Sequence, residues 1–289
     1  AFSGCVNLSD VTLSGSITSI GNSAFSGCTS LASVTISDSV RSIGSFAFSS
    51  CSSLTSIAIP DQVTSIETGV FSWCRNLTSI VIGSGVANIS RVGFDSCSSL
   101  TEITVSASNS VYSSAAGVLF NKNQTTLLLC PLAKAGSYTV PASVITIGTN
   151  AFSQCTNLTD IAIGDSVTSI AISAFGGCKG LTAISVNPTN LIFSSLDGVL
   201  FNKDQTSLIR YPGGKTGSYT VPATVTTIGP EAFRECVGLT SVMIGTSVTN
   251  IGNHAFLLCT NLTAVTIPNS FDSIGFFVFG FCSSLSSVT

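Results

Sequence analysis

The sequence predicts a β-rich solenoid with short helical turns, of about 12 coils, two of them enlarged by β-hairpin insertions. Three observations predict it. Phenylalanine recurs every 23 residues, at Phe2, Phe25, Phe48, Phe71 and Phe94, then at Phe152 and Phe175, then at Phe233, Phe256 and Phe279. Each of these ten is followed by Cys three residues on and Leu six residues on, from Cys5 and Leu8 to Cys282 and Leu285. The two gaps that break the period are each 58 residues, one repeat plus 35 residues, and the two extra segments resemble each other. A unit this short cannot bury its own apolar face. Stacked on copies of itself it can, because each ring of Phe, Cys, Leu, Val and Ile meets the same ring in the next coil.

Each part of the unit carries its own local signal. Leu-x-x-Val-x-Ile, as at Leu31 to Ile36, ends in apolar alternation with period two, a short strand with one buried face. A second, shorter extended piece follows at Val-x-x-Ile-Gly, as at Val40 to Gly44. Ala-Phe-x-x-Cys is too short for a stable α-helix and predicts a helical turn that drops Phe and Cys inward. The insertions span about 106–140 and 187–221. In each, two apolar runs flank a polar turn, Asn121-Lys122-Asn123-Gln124 or Asn202-Lys203-Asp204-Gln205, which predicts a projecting hairpin. Gly136 to Pro141 and Gly217 to Pro222 then rejoin the register, so residues 1–289 read as one solenoid domain. Both termini fall inside a repeat, and the chain reads as a fragment of a longer protein.

Only 8% of the residues are charged, against roughly 25% in an ordinary soluble protein, and the net charge is −3. With no basic cluster there is no electrostatic footprint for nucleic acid. No apolar run approaches the roughly 18 residues of a spanning helix, so no membrane insertion is expected within this segment.

The pattern resembles the BspA-like, or treponemal-type, leucine-rich repeat family. The resemblance rests on Ile20 to Ile36, on Ile251 to Pro268, and on Asp197-Gly198-Val199-Leu200-Phe201 with Tyr211-Pro212 in the insertion. It covers essentially the whole chain. It implies a right-handed leucine-rich repeat solenoid, a non-enzymatic adhesion or interaction module, an extracellular or cell-surface location, and a protein or glycan partner such as a host matrix protein.

No residue pattern points to catalysis, a cofactor or a metal. The single histidine, His254, sits at a variable position and is expected on the surface, without the nucleophile and acid that a hydrolytic triad needs. The cysteines in register are expected to be buried thiols, with coil-to-coil disulfides the main alternative and metal binding a lesser one, since zinc sites use close paired spacings. Cys130 lies outside the register, where the second copy has Tyr211, and is expected at a packing position that is partly exposed.

The best binding candidate is the outward face of the strands. Its expected residues are Asp10, Thr12, Thr35, Ser56, Glu102, Thr104, Asp160, Ser185, Ser241 and Thr266. They are small and hydroxyl-rich, which equally suits a plainly solvated sheet on a structural spacer or self-associating surface element. Trp73, Arg75, Phe46, Phe276 and Phe277 depart from the repeat and read as variations of shape, with contact hot spots on a binding surface the alternative. Asn-Leu-Ser or Asn-Leu-Thr begins at Asn7, Asn76, Asn157 and Asn261, but these match the repeat consensus itself.

Overall fold

The computed structural model describes residues 1–268 and 272–289. The chain is a β-solenoid of about 12 turns with nearly no helix. It divides into two compact units, Ala1–Lys134 and Ala135–Thr289, the boundary falling within the first insertion.

Strand alternation places the core as the sequence predicts. In Ser56–Ile59, Ile57 and Ile59 are buried while Ser56 and Ala58 face solvent. This strand pairs in parallel with Ser79–Ile82, which pairs with Glu102–Val105, each residue opposite the one 23 positions on. The shorter extended pieces form two-residue strands such as Ser65–Ile66, paired with Asn88–Ile89.

The segment around Ala-Phe-x-x-Cys differs from the expected helical turn. It is a series of tight turns, shown by Ala47 N–H donating to Gly44 O, Cys51 to Phe48 O and Leu54 to Cys51 O. One or two residues in this segment of each coil adopt left-handed backbone, Phe46 (φ 59°) and Ser50 (φ 61°) in this one, which breaks any helix. Their N–H groups instead donate to the next coil, Phe46 to Thr68 O at 3.0 Å and Ser50 to Ser72 O at 2.7 Å. Backbone bonding along the stack therefore replaces bonding within a helix. Among the described residues the exception is a 3₁₀ helix at Arg91–Phe94.

The phenylalanines stack as a ladder inside each unit. In the first, centroid spacings run 5.3, 5.4, 5.9 and 6.2 Å from Phe2 to Phe94. In the second, Phe152 lies 5.6 Å from Phe175, and Phe233 and Phe279 flank Phe256 at 4.5 and 5.2 Å. Eight of the ten are buried; Phe2 is half exposed and Phe279 half-buried, each stacked on one neighbour only.

All eleven cysteines are free, and nine are buried. Cys130 is among the nine, with no exposed surface, which corrects its expected partial exposure. The register thiols hydrogen-bond as well as pack. Cys51, Cys74 and Cys97 donate to the carbonyls of Phe25, Phe48 and Phe71 at 3.1–3.2 Å, and Cys178 and Cys259 to those of Phe152 and Phe233 at 2.9 Å. A buried carbonyl left without a donor is costly. Cysteine supplies that donor at the size of a small apolar side chain. Burial pushes the Cys97 thiol up to about 12, so it stays protonated.

The insertions are larger than single hairpins. Each has three antiparallel strands: Tyr112–Ala115, Val118–Asn121 and Thr126–Leu129 in the first, Phe193–Leu196, Val199–Asn202 and Ser207–Arg210 in the second. Each begins at a fully buried asparagine one period after a core valine, Asn109 after Val86 and Asn190 after Val167. Asn109 Nδ2 donates to Gly83 O and Val86 O, while its Oδ1 accepts the Val111 and Tyr112 N–H groups, all within 2.9 Å. Asn190 repeats the pattern with Gly164 O, Val167 O, Ile192 N and Phe193 N.

Candidate functional site

The outward strand face is built from alternation. Buried Val or Ile pins every second residue inward, so its neighbours must face solvent. Asp10, Thr12, Thr35, Ser56, Glu102, Thr104, Ser185 and Thr266 are exposed; Asp160 and Ser241 are half-buried.

These ten residues fall on four hydrogen-bonded sheets. Asp10, Thr12 and Thr35 lie on the pair Asp10–Thr12 and Ser33–Thr35. Ser56, Glu102 and Thr104 lie on the three-stranded sheet that ends at Glu102–Val105. In the second unit, Asp160 and Ser185 share the sheet of Gly136–Thr139, Leu158–Ile163 and Ala183–Val186. Ser241 and Thr266 lie on the sheet that begins at Gly217–Thr220 and ends at Ser287–Val288.

Side-chain bonds fix the acids on this face. Ser33 Oγ donates to Asp10 Oδ1 at 2.6 Å, and this bond, with one from Ser9, holds the Asp10 carboxyl below its usual range. Thr159 Oγ1 donates to Asp160 Oδ2 at 2.7 Å. Thr104 Oγ1 donates to Glu102 Oε1 at 3.3 Å. The face also carries two exposed large apolar side chains, Val81 in the first unit and Met243 in the second.

The insertions shape the face in a way that spacing alone does not reveal. The turn at Ala116-Gly117 folds back onto Glu102–Val105, where Ile103 N–H donates to Gly117 O at 2.9 Å and Val105 N–H to Ser114 Oγ at 2.9 Å. Gly117 sits at φ +79° with Thr101 O and Glu102 Cα so close that a β-carbon would crowd both. Lys134 Nζ ties the turn down through Ala116 O at 2.6 Å. Between turn and strand lies an open concavity of about 510 Å³, lined by Thr101, Glu102, Ile103, Thr104, Ser114, Ala116, Gly117 and Lys134. Among the described residues no ion pair joins Glu102 to Lys134.

The second insertion repeats this arrangement 81 residues on. Ile184 N–H donates to Gly198 O at 2.8 Å, Val186 N–H to Ser195 Oγ at 3.0 Å, and Lys215 Nζ to Asp197 O at 2.8 Å. Sequence reasoning passed over both lysines, although their shared spacing from the Gly of the turn was visible.

The remaining outliers lie in turns. Trp73 is half exposed with the Arg75 guanidinium 5.2 Å from its ring centre. Phe46, Phe276 and Phe277 are exposed, and Phe277 stacks on half-buried His254 at 6.1 Å. Among the described residues, no three His, Cys, Asp or Glu side chains converge as metal ligands, and no helix is long and apolar enough to cross a membrane.

A profile described as BspA type leucine-rich repeat region matches six copies over residues 1–124, 132–213 and 211–289. Among solved structures, the chain is 26% identical to a leucine-rich cell surface protein from Faecalibacterium prausnitzii, covering 97% of this chain and 78% of that one with a TM-score of 0.50. It is 25% identical to a leucine-rich repeat protein from Eubacterium ventriosum, covering 96% and 83% with a TM-score of 0.58. A leucine-rich repeat protein from Bacteroides ovatus, 23% identical over 100% of this chain and 80% of its own, shares the fold with a TM-score of 0.51. No curated protein matches the chain.

Proposed function

Because the chain belongs to the BspA-type leucine-rich repeat family, we propose that it is a non-enzymatic interaction module, secreted or held at a cell surface, that adheres to a protein or glycan through its outward strand face. The cell-surface description of the Faecalibacterium relative supports the location. The observation that carries the binding role is the face itself. Its side chains are held at fixed register by parallel pairing, and its carboxylates at Asp10, Glu102 and Asp160 are oriented by neighbouring hydroxyls. A rigid array of this kind loses little conformational freedom on binding, which favours affinity at a broad, shallow contact.

Immobilised matrix proteins and glycans, probed with the chain and with a variant carrying Thr35→Arg, Val81→Arg and Met243→Arg, test the proposal. Binding that the variant abolishes, with unfolding unchanged, supports it. Self-association of the chain with no binding to either class of target identifies a structural element and overturns it.

A further inference from the structure

We propose that the concavity between the first insertion turn and the strand beneath it, whose hydrogen-bonded frame the second insertion repeats, is a carbohydrate subsite for a neutral, hydroxyl-rich sugar; this rests on the interaction-module reading and narrows it to a place and a ligand class.

The duplication is the first argument. In a chain with only 23 charged side chains, 10 basic and 13 acidic, both copies keep one ammonium and one carboxylate beside the turn. The lysine is constant, Lys134 or Lys215, and bonds the same turn carbonyl in each. The carboxylate changes place. In the first copy it is Glu102 on the strand, with Ala116 on the turn. In the second it is Asp197 on the turn, with Ala183 on the strand. The charge pair is thus present twice although its scaffold positions differ.

The chemistry of the lining is the second argument. An ammonium has three donors, and Lys134 spends one on Ala116 O, leaving two for a ligand oxygen. A carboxylate only accepts, so Glu102 suits hydroxyl donors, and charge-assisted bonds of both kinds are the strong ones. Thr101 and Thr104, whose hydroxyls donate to Thr78 O and Glu102 Oε1, keep lone pairs that can accept, and Ser114, which accepts from Val105 N–H, keeps a proton to donate. The one large apolar side chain in the lining, Ile103, is fully buried, so the aromatic or aliphatic anchor that carries most protein contacts has no place here. An anionic sugar would meet the carboxylate. A neutral polyol uses both charges and leaves neither unpaired.

The test uses the full chain and its Glu102→Gln, Asp197→Asn double variant on a printed array of neutral hexose, sialylated and sulfated oligosaccharides, with immobilised matrix proteins as a parallel arm. Both substitutions keep the shape of an exposed side chain, so thermal unfolding should not shift. Retention on neutral oligosaccharides, weakened roughly tenfold or more in the double variant, is the expected result. Binding confined to sialylated or sulfated sugars, or neutral-sugar binding that the variant leaves intact, overturns the subsite. Matrix-protein binding without sugar binding overturns the subsite while sparing the interaction module. Silence in both arms overturns both.

Discussion

The two insertions share a frame and differ in their filling. Both begin at a buried asparagine, Asn109 or Asn190, with the same four partners. Both place a lysine from the second turn against main-chain carbonyls, Lys122 on Ala107 and Asn109, Lys203 on Pro188 and Asn190. Inside the frame, the first copy has Leu129 and Cys130 where the second has Arg210 and Tyr211. Leu129 joins the apolar core of the first unit. Arg210, only 3% exposed, donates to the carbonyls of Glu231, Phe175 and Arg234 at 2.7, 3.0 and 3.1 Å. Tyr211 stacks on Phe233 at 5.0 Å and meets Tyr219 at 4.7 Å, extending the ring ladder where an insertion interrupts the phenylalanine period.

The difference teaches which contacts specify the fold. In regular coils a cysteine thiol donates to the phenylalanine carbonyl of the coil before it. The coil that follows Phe175 is enlarged and has no such cysteine, and the Arg210 guanidinium reaches the Phe175 carbonyl instead. Two unlike side chains thus serve one requirement, that a buried carbonyl find a donor. The polar frame is identical in both insertions because those bonds build the backbone path. The filling varies because several side chains can occupy the same volume.

Substitutions at the frame should therefore cost the same in both copies. Asn109→Leu and Asn190→Leu each strip partners from four backbone groups, two of those bonds fully buried and two partly, and should destabilise by about 3 kcal/mol, measured by denaturant unfolding of the separate variants. A small effect at one asparagine and a large effect at the other would break the comparison. Substitutions in the filling should diverge. Arg210→Met leaves the buried Phe175 carbonyl and two partly buried ones, Glu231 and Arg234, short of a donor and should cost about 2–4 kcal/mol. Leu129→Met conserves volume and should cost less than about 1.5 kcal/mol. Equal losses at the two positions would show that Arg210 merely fills space.

Much of this was legible in the sequence, for a physical reason. A stacked repeat writes its core as a period, and Phe, Cys, Leu and Val at fixed offsets report the ladder directly. The tight turns were misread as helical because the left-handed positions are held by residues as different as Phe46, Trp73 and Glu235, and glycine marks them only in some coils, as at Gly27, Gly69 and Gly177. The strand Tyr112–Ala115 went unseen because Tyr-Ser-Ser-Ala has little apolar alternation. The buried asparagines carried a signal, since each occupies the phase of a core valine, but a polar residue there reads as the end of the pattern. Arg210 carried none. Its partners are carbonyls brought together only by tertiary structure. At the strand face, alternation identified which residues point outward, whereas the folded-back turn and its lysine depend on contacts between segments far apart in sequence.

The central claim is that like side chains shelve over like inside each unit, and the thiols report it most directly. Alkylation of the native chain followed by mass spectrometry of its peptides should modify Cys5, which is exposed, and Cys282, which is half-buried, and spare the nine buried cysteines until the chain is unfolded. Rapid labelling of Cys51, Cys74 and Cys97 in the native state would contradict it.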